Sequence, residues 1–235
     1  MNAIRVKTAS FDVDAQKSFT PLCPDELPVK GGDQIGAALN FMATFANLRI
    51  GSKDAHAANA PWVVDAPDKM LQPTGLKHAD LTWVSHCVPG TEGFELLDEL
   101  PRPLDYDYFV WKGVEPDLHP YGALWHNLDE TLSTGVIEYL RSKGIERVIV
   151  GGLALDFCVR TTALQLVRAG FAVVLYTPAC RGISEEGSLA ALAEMANAGI
   201  LIANNQQELT ALAAGLGDDH GKCLRLQQTD CSFAD

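Results

Sequence analysis

The feature that most constrains the fold is the regular alternation of helical and strand-like segments between residues 130 and 203. The order is a helical pattern at 130–142, a strand at 147–150, a helix from Cys158, a strand at 171–176, a helix capped by Ser184, and a strand at 200–203. A glycine follows each helical segment, as is typical of a helix C-terminus. Repeated helix–strand units predict an α/β fold: a doubly wound, mostly parallel sheet with helices on both faces.

The first half of the chain adds further elements to the same sheet. The expected elements are a strand at 4–13, a helix from Asp33 to about residue 47, a strand at 48–52 and a strand at 107–111. Residues 57–103 have little periodicity and are rich in Pro, Ala, Asp and Gly, which indicates a long irregular excursion with a functional role. At 235 residues, the chain suits one domain over 1–216 followed by a polar tail at 217–235.

Charge and cysteine usage exclude several classes of function. The formal net charge is -12, and such a field disfavours nucleic acid and anionic membrane surfaces as partners. The N-terminus lacks the apolar core of a signal peptide, and no run of about 18 apolar residues occurs. The six cysteines are unevenly spaced, which indicates reduced thiols and a cytoplasmic protein. A small-molecule ligand is therefore expected, and the oligomeric state stays open.

Reactive side chains follow four of the expected strands. Asp14 follows the first strand, Asp54 and His56 the second, Lys112 the strand at 107–111, and Cys158 the strand at 147–150. In open parallel sheets, ligands bind beyond the carboxyl ends of the strands. The shared position predicts that these side chains meet in one site.

Cys158 has the features of a nucleophile. It falls at the first turn of a helix, where free N–H groups and the helix dipole are expected to lower the pKa of a thiol and to hold an oxyanion. Lys112 would supply a nearby positive charge. A general base is also required, and spacing alone does not choose between Asp12 and Asp14, which lie on the same strand face.

A possible metal site accompanies these residues. Asp54 and His56 lie two positions apart, and His86 falls in the excursion. Two histidines and one carboxylate can bind zinc, iron(II) or manganese and leave positions open. A D-x-H pair alone is more often without a metal, so the pattern becomes informative only beside the other motifs.

Five separated motifs together resemble those of the nicotinamidases, which belong to the isochorismatase-like cysteine hydrolases. In chain order these are Val13–Phe19, Asp54–His56, Trp83–Thr91, Lys112–Gly113 and Gly152–Ala163. The resemblance implies hydrolysis of nicotinamide, and of pyrazinamide, to the acid and ammonia through a cysteine thioester. It also implies a place in NAD salvage.

The resemblance also implies a role for each matching residue. The catalytic residues would be Asp14 (rather than Asp12), Lys112 and Cys158. The N–H groups of Ala154 and Cys158 would form the oxyanion hole, near a cis peptide bond. One divalent metal ion, zinc before iron or manganese, would be held by Asp54, His56, His86 and waters. The pyridine ring would pack among Phe19, Trp83 and Tyr121.

Departures from the family pattern leave the exact substrate open. Leu155 stands where the family often has Thr, and Ala60 where many members have a polar residue or His near the metal. The alternatives are a related cysteine amidohydrolase acting on another amide or carbamoyl group and, more distantly, a non-haem iron oxygenase or a non-catalytic metal-binding protein. Isochorismatases act on a vinyl ether without the cysteine, so Cys158 argues against them.

Overall fold

The computed structural model describes residues 6–215, which build a six-stranded sheet in the order β5-β2-β1-β6-β7-β8 with every neighbouring pair parallel. These strands are β1 (Thr8–Val13), β2 (Leu48–Asp54), β5 (Tyr108–Lys112), β6 (Arg147–Leu153), β7 (Ala172–Arg181) and β8 (Leu201–Ala203). A separate parallel pair is formed by β3 (Val63–Val64) and β4 (Trp83–Val84). The expected sheet class is therefore confirmed.

Helices cover both faces of the sheet. The helices are α1 (Gly36–Ala43), α2 (Val136–Ser142), α3 (Arg160–Arg168), α4 (Glu185–Asn197) and α5 (Gln206–Ala213). Buried side chains of α1 and α5 join the core on one face, and those of α2, α3 and α4 join the core on the other.

The strand β6 shows why a continuous apolar run is needed at the centre of such a sheet. All seven of its residues are buried. Because side chains alternate along a strand, Val148 and Val150 pack into one core while Ile149 packs into the other. Its neighbours β1 and β7 place it in the middle of the sheet.

Several boundaries differ from the sequence-based expectations. The helix expected from residue 130 begins at Val136, because the Asn127 side chain accepts hydrogen bonds from the N–H groups of Thr131 and Leu132 and holds a turn there. The helix expected from Asp33 begins at Gly36, after a short 3-10 turn. The helix α5, capped by the Asn205 side chain, was not expected.

Two expectations fall partly or wholly outside the described residues. The first strand begins at Thr8, and residues 4 and 5 of the expected strand are not described. The polar tail at 217–235 also lies outside them. Within residues 6–215, no helix combines the length and apolar character that crossing a membrane requires.

Gly152, near the end of β6, has a backbone that excludes a side chain. Its φ is +138°, and a Cβ there would lie 1.9 Å from the carbonyl oxygen of Val13 on the neighbouring strand. We expect Gly152→Ala to lower the free energy of unfolding by roughly 3 kcal/mol or more, since β1 and β6 must separate to admit the methyl group. Urea denaturation measures this loss.

The matched control is Gly144→Ala. Gly144 also has a positive φ, +67°, but a Cβ there meets no atom within 4 Å. Only the backbone strain remains, about 1–2 kcal/mol. Equal losses in the two variants would contradict the steric argument at Gly152.

Candidate active site

The site forms where four neighbouring strands end. The strands β5, β2, β1 and β6 are adjacent in the sheet, and their carboxyl ends carry Lys112, Asp54, Asp14 and, past the turn after β6, Cys158. Asp54 and Lys112 are direct partners in the register between β2 and β5. The chain runs from β1 to one side of the sheet and later returns through β6 on the other side. This is the switch point at which open α/β sheets bind ligands.

Lys112 lies at the centre of the buried polar groups. Its Nζ is 3.0 Å from Asp14 Oδ2, donates to Asp54 Oδ1 and to the Pro120 carbonyl, and lies 3.7 Å from Cys158 Sγ. Lys112 and Asp14 are fully buried, and Cys158 is 5% exposed. One ammonium therefore contacts two carboxylates and the thiol.

The structure places Asp14 and Asp12 in different surroundings. Asp14 accepts a hydrogen bond of 2.6 Å from Ser52 Oγ, and its carboxylate lies within 4.8 Å of Cys158 Sγ. Asp12 instead accepts hydrogen bonds from Arg49 and from the Tyr106 hydroxyl. Asp14 also has a φ of 44°, a left-handed conformation that turns its side chain away from the β1 alternation. Of these two aspartates, only Asp14 is in reach of the thiol, which also lies 3.9 Å from Asp54 Oδ2.

Burial and neighbouring charges together shift the pKa values of Asp14, Asp54 and Lys112. Burial raises the pKa of Asp14 to about 6, although the Lys112 charge acts to lower it. Burial also acts to raise the pKa of Asp54, but the charges of Lys112 and His56 outweigh it and hold that pKa below its ordinary value. Burial acts to lower the pKa of Lys112, but the surrounding acidic groups have the larger effect. The pKa of Lys112 therefore lies well above its ordinary value. Lys112 is therefore charged at neutral pH.

The pKa of Cys158 differs from the sequence-based expectation, which was a lowered value. Burial, with the charges of Asp54 and Asp14, raises the pKa of Cys158 well above its ordinary value, even though Lys112 acts to lower it. The helix terminus does not make a resting thiolate. Cys158 is a neutral thiol beside Asp14, a carboxylate ionised at neutral pH that can accept its proton.

The turn after β6 presents Cys158 to the site. Leu155–Val159 form a π-helical turn, in which the N–H groups of Phe157 and Val159 both donate to the Ala154 carbonyl. The Asp156 carboxylate accepts from the N–H groups of Ile183 and Ser184 and so ties the turn to the loop after β7. The bond between Leu153 and Ala154 is a cis peptide.

Three buried histidines form a second cluster beside Asp54. Nitrogen atoms of His56, His86 and His119 all lie within 4.8 Å of one another. The Nδ1 atoms of His56 and His86 lie 3.2 Å from the Gly113 carbonyl oxygen and 2.7 Å from that of Val84. Asp54 Oδ1 lies 3.4 Å from His56 Nε2, so Asp54 links this cluster to Lys112.

The nitrogens of this cluster fit a metal ion. Within residues 6–215, His56 Nε2 and both ring nitrogens of His119 have no hydrogen-bond partner, although they are buried. A buried polar atom without a partner is costly, and a metal ion would satisfy it. Burial lowers the pKa of His86 to about 4 and that of His119 well below its ordinary value, so both imidazoles are neutral, as metal ligands must be.

His119 was missed by the sequence analysis. It lies in the irregular stretch after β5, where no periodicity marks it, and it reaches the cluster only through long-range packing. The available signal was its position between Lys112 and Tyr121, both of which were singled out.

A second group of acidic and thiol ligands, Asp14, Asp54 and Cys158, also lies within 4.8 Å. The Lys112 ammonium already contacts all three, so a metal ion there would face a fixed positive charge. The histidine cluster is therefore the better candidate for holding a metal ion.

A pocket joins the two clusters. It has an empty volume of about 260 Å³, and its lining includes Cys158, Ala154, Asp54, His86 and His119. The expected ring-binding residues Phe19, Trp83 and Tyr121 line it, together with Leu27, Phe157 and Ile183, which the sequence analysis did not identify.

The chain is similar to known proteins over most of its length. The model of the isochorismatase domain family matches residues 13–207. A nicotinamidase of Acinetobacter baylyi is 33% identical over 199 residues, covering 80% of this chain and 90% of that protein.

Two solved structures are similar over most of the chain. The Acinetobacter baumanii nicotinamidase pyrazinamidase has a TM-score of 0.74 at 29% identity, covering 89% of this chain and 100% of that one. The pyrazinamidase of Pyrococcus horikoshii in complex with zinc has a TM-score of 0.66 at 30% identity, covering 85% and 99%.

Proposed function

The chain belongs to the isochorismatase domain family, and on that premise we propose that it is a cysteine amidohydrolase that converts nicotinamide to nicotinate and ammonia. One observation carries the proposal. One small pocket is lined both by the Cys158 thiol, which contacts the buried Lys112 and Asp14, and by two neutral histidines, His86 and His119, of the cluster with unsatisfied nitrogens. The first part attacks an amide, and the second suits a metal ion that recognises a pyridine nitrogen. Release of ammonia from nicotinamide by the pure protein tests it.

Acylation begins with transfer of the Cys158 proton to Asp14. The sulfur attacks the amide carbonyl, and the N–H groups of Ala154 and Cys158 stabilise the oxyanion. Asp14 then donates the proton to the amide nitrogen, which leaves as ammonia, and a thioester remains on Cys158. A pKa of about 6 suits Asp14 to both steps, because it is ionised at pH 7 yet binds a proton readily.

Deacylation uses the same groups in a second cycle. Asp14 removes a proton from water, the hydroxide adds to the thioester carbonyl, and the Cys158 thiolate leaves and recovers the proton. Lys112 stays charged throughout and balances the negative charge that moves between Asp14 and the sulfur.

We propose that His56, His86, His119 and Asp54 hold one divalent ion, with zinc as the expected metal. Imidazole and carboxylate donors suit zinc, iron and manganese, and the similar pyrazinamidase of Pyrococcus horikoshii is a zinc complex. When bound, the ion supplies a coordination position for the pyridine nitrogen. The protein contributes the aromatic wall that holds the ring in plane.

Replacing the cluster histidines should remove the metal. We expect His56→Ala, His86→Ala and His119→Ala each to lower metal content from about one ion per chain, and to raise the KM for nicotinamide. Loss of an outer-shell partner already costs roughly 10- to 100-fold in metal affinity, and loss of a ligand should cost at least that. Elemental analysis after dialysis measures the content.

His126→Ala is the matched control, since His126 lies outside the cluster, and it should retain the metal. Full metal content in His56→Ala and His86→Ala would rule this site out. Normal content in His119→Ala alone would restrict the site to the three residues expected from the sequence.

We further propose a cytoplasmic enzyme in pyridine nucleotide salvage. The four cysteines within residues 6–215 are free thiols, which suits a reducing compartment. The net charge of -12 disfavours nucleic acid and anionic membranes as partners.

A further inference from the structure

A hairpin of the irregular excursion lies against the segment that carries two pocket residues. In this hairpin, residues 71–82, the Leu71 N–H donates to the Thr82 carbonyl and the Thr82 N–H to the Gln72 carbonyl, while Pro73 and Leu81 form an antiparallel bridge. The segment opposite is 118–121, which contains the metal-site histidine and a pocket tyrosine.

Two hydrogen bonds join the hairpin to this segment. The His119 N–H donates to the His78 carbonyl at 2.7 Å, and the Tyr121 hydroxyl donates to Asp80 Oδ1 at 2.8 Å. The first is between backbone groups. The second uses side chains, so substitution can remove it without changing the backbone.

The Tyr121 hydroxyl also forms a hydrogen bond with Trp83, a second aromatic residue that lines the pocket. The Trp83 indole N–H donates to the Tyr121 hydroxyl at 3.3 Å. A tyrosine hydroxyl has one hydrogen and two lone pairs. Because the hydrogen is used by Asp80, the lone pairs remain to accept from Trp83, and each bond polarises the other. The order Trp83, Tyr121, Asp80 therefore has a fixed direction.

Trp83 contacts residues on two sides of the pocket. It is 2% exposed, stacks on His119 with 6° between the rings, and meets Phe157 edge-on at 4.9 Å between centroids. Phe157 precedes the nucleophile Cys158 in the chain. The orientation of Trp83 thus affects both the metal side and the thiol side of the pocket.

We propose that Asp80, an exposed residue outside the pocket lining, is a positioning residue for binding of the substrate ring. Through the Tyr121 hydroxyl it fixes the Tyr121 and Trp83 rings, against which the flat heteroaromatic amide packs. This inference rests on the proposed function, because its readout is the KM for nicotinamide. Asp80 touches neither substrate nor reacting atoms, so the chemical step is left intact.

The test compares two substitutions at the same position. We expect Asp80→Ala to raise the KM for nicotinamide about five- to tenfold with kcat within about twofold, the effect of one lost hydrogen bond that orders a binding surface. Asp80→Asn keeps an acceptor oxygen at the same place and should restore a KM near that of the wild type. Asp65→Ala is the control, since Asp65 is an exposed aspartate of the same excursion whose side chain pairs with Lys69.

A double-mutant cycle with Tyr121→Phe makes the test specific. Removal of the Tyr121 hydroxyl breaks both bonds, so Asp80→Ala should add no further increase in KM in that background. An unchanged KM in Asp80→Ala, additive effects in the double variant, or Asp80→Asn as impaired as Asp80→Ala would each overturn the proposal. So would an equal fall of kcat with a lowered melting temperature, which indicates a structural role.

Failure of the proposed function is distinguishable from failure of this inference. Absence of nicotinamide turnover by the wild type would contradict the proposed function. Wild-type turnover together with a normal KM in Asp80→Ala would contradict only the role of Asp80.

Discussion

Cys158→Ala is expected to abolish ammonia release from nicotinamide while the protein remains folded. The sulfur is the atom that forms the thioester, and no other thiol of residues 6–215 contacts Lys112 or Asp14. Loss of a nucleophile that acts together with its base should lower kcat by roughly 10⁴-fold or more. Loss of one buried sulfur atom should cost only about 1 kcal/mol of stability, because the cavity it leaves is small. Steady-state kinetics and thermal melting measure the two effects.

Cys180→Ala is the matched control. Cys180 is also a buried thiol, but it lies on β7 with its Sγ directed to the Tyr176 carbonyl, and the variant should keep its activity. Metal content is a second readout. The Cys158→Ala variant should retain about one ion per chain if the histidines, rather than Asp14, Asp54 and Cys158, hold the metal. An active Cys158→Ala protein would end the proposed mechanism.

The second half of the sheet could be predicted from the sequence because its central strand β6 contains a continuous apolar run. The run at β6 and the glycine-terminated helices on each side of it mark the strand–helix units without reference to anything distant. The boundary of α2 could not be predicted, since it depends on where the Asn127 side chain points. A helical periodicity does not record that a neighbouring side chain has taken the backbone N–H groups.

The site could be predicted as far as strand ends determine it. Asp14, Asp54, Lys112 and Cys158 meet because parallel strands end at one edge. His119 does not follow a strand end. It lies in the loop after β5 and reaches the site through long-range packing, which no local sequence pattern indicates.

The raised pKa of Cys158 could not be predicted from the sequence either. A helix terminus is visible in a sequence and predicts a lowered pKa, but burial and the two neighbouring carboxylates are properties of the folded protein, and they raise the pKa instead. A thiol with a raised pKa needs a base to accept its proton, which supports the proposed role of Asp14.

Nicotinamide and pyrazinamide are expected to be hydrolysed about a hundredfold more efficiently than benzamide. All three amides present a carbonyl to Cys158, but only the first two carry a ring nitrogen that can meet the histidine side of the pocket. Loss of that one contact should cost a few kcal/mol, and about 1.4 kcal/mol corresponds to tenfold in kcat/KM. The ratio of kcat/KM values from ammonia release measures the contact directly.

The same ratio in His86→Ala locates the source of the discrimination. This variant keeps Cys158, Asp14 and Lys112, so benzamide should be hydrolysed about as well as by the wild type, while nicotinamide loses its advantage and the ratio falls toward one. A ratio that stays near a hundred in a metal-free variant would assign recognition of the ring nitrogen to another group. Equal wild-type rates on benzamide, or no turnover of nicotinamide beside rapid turnover of a carbamoyl amino acid, would instead identify a related amidohydrolase with the same nucleophile and a different substrate.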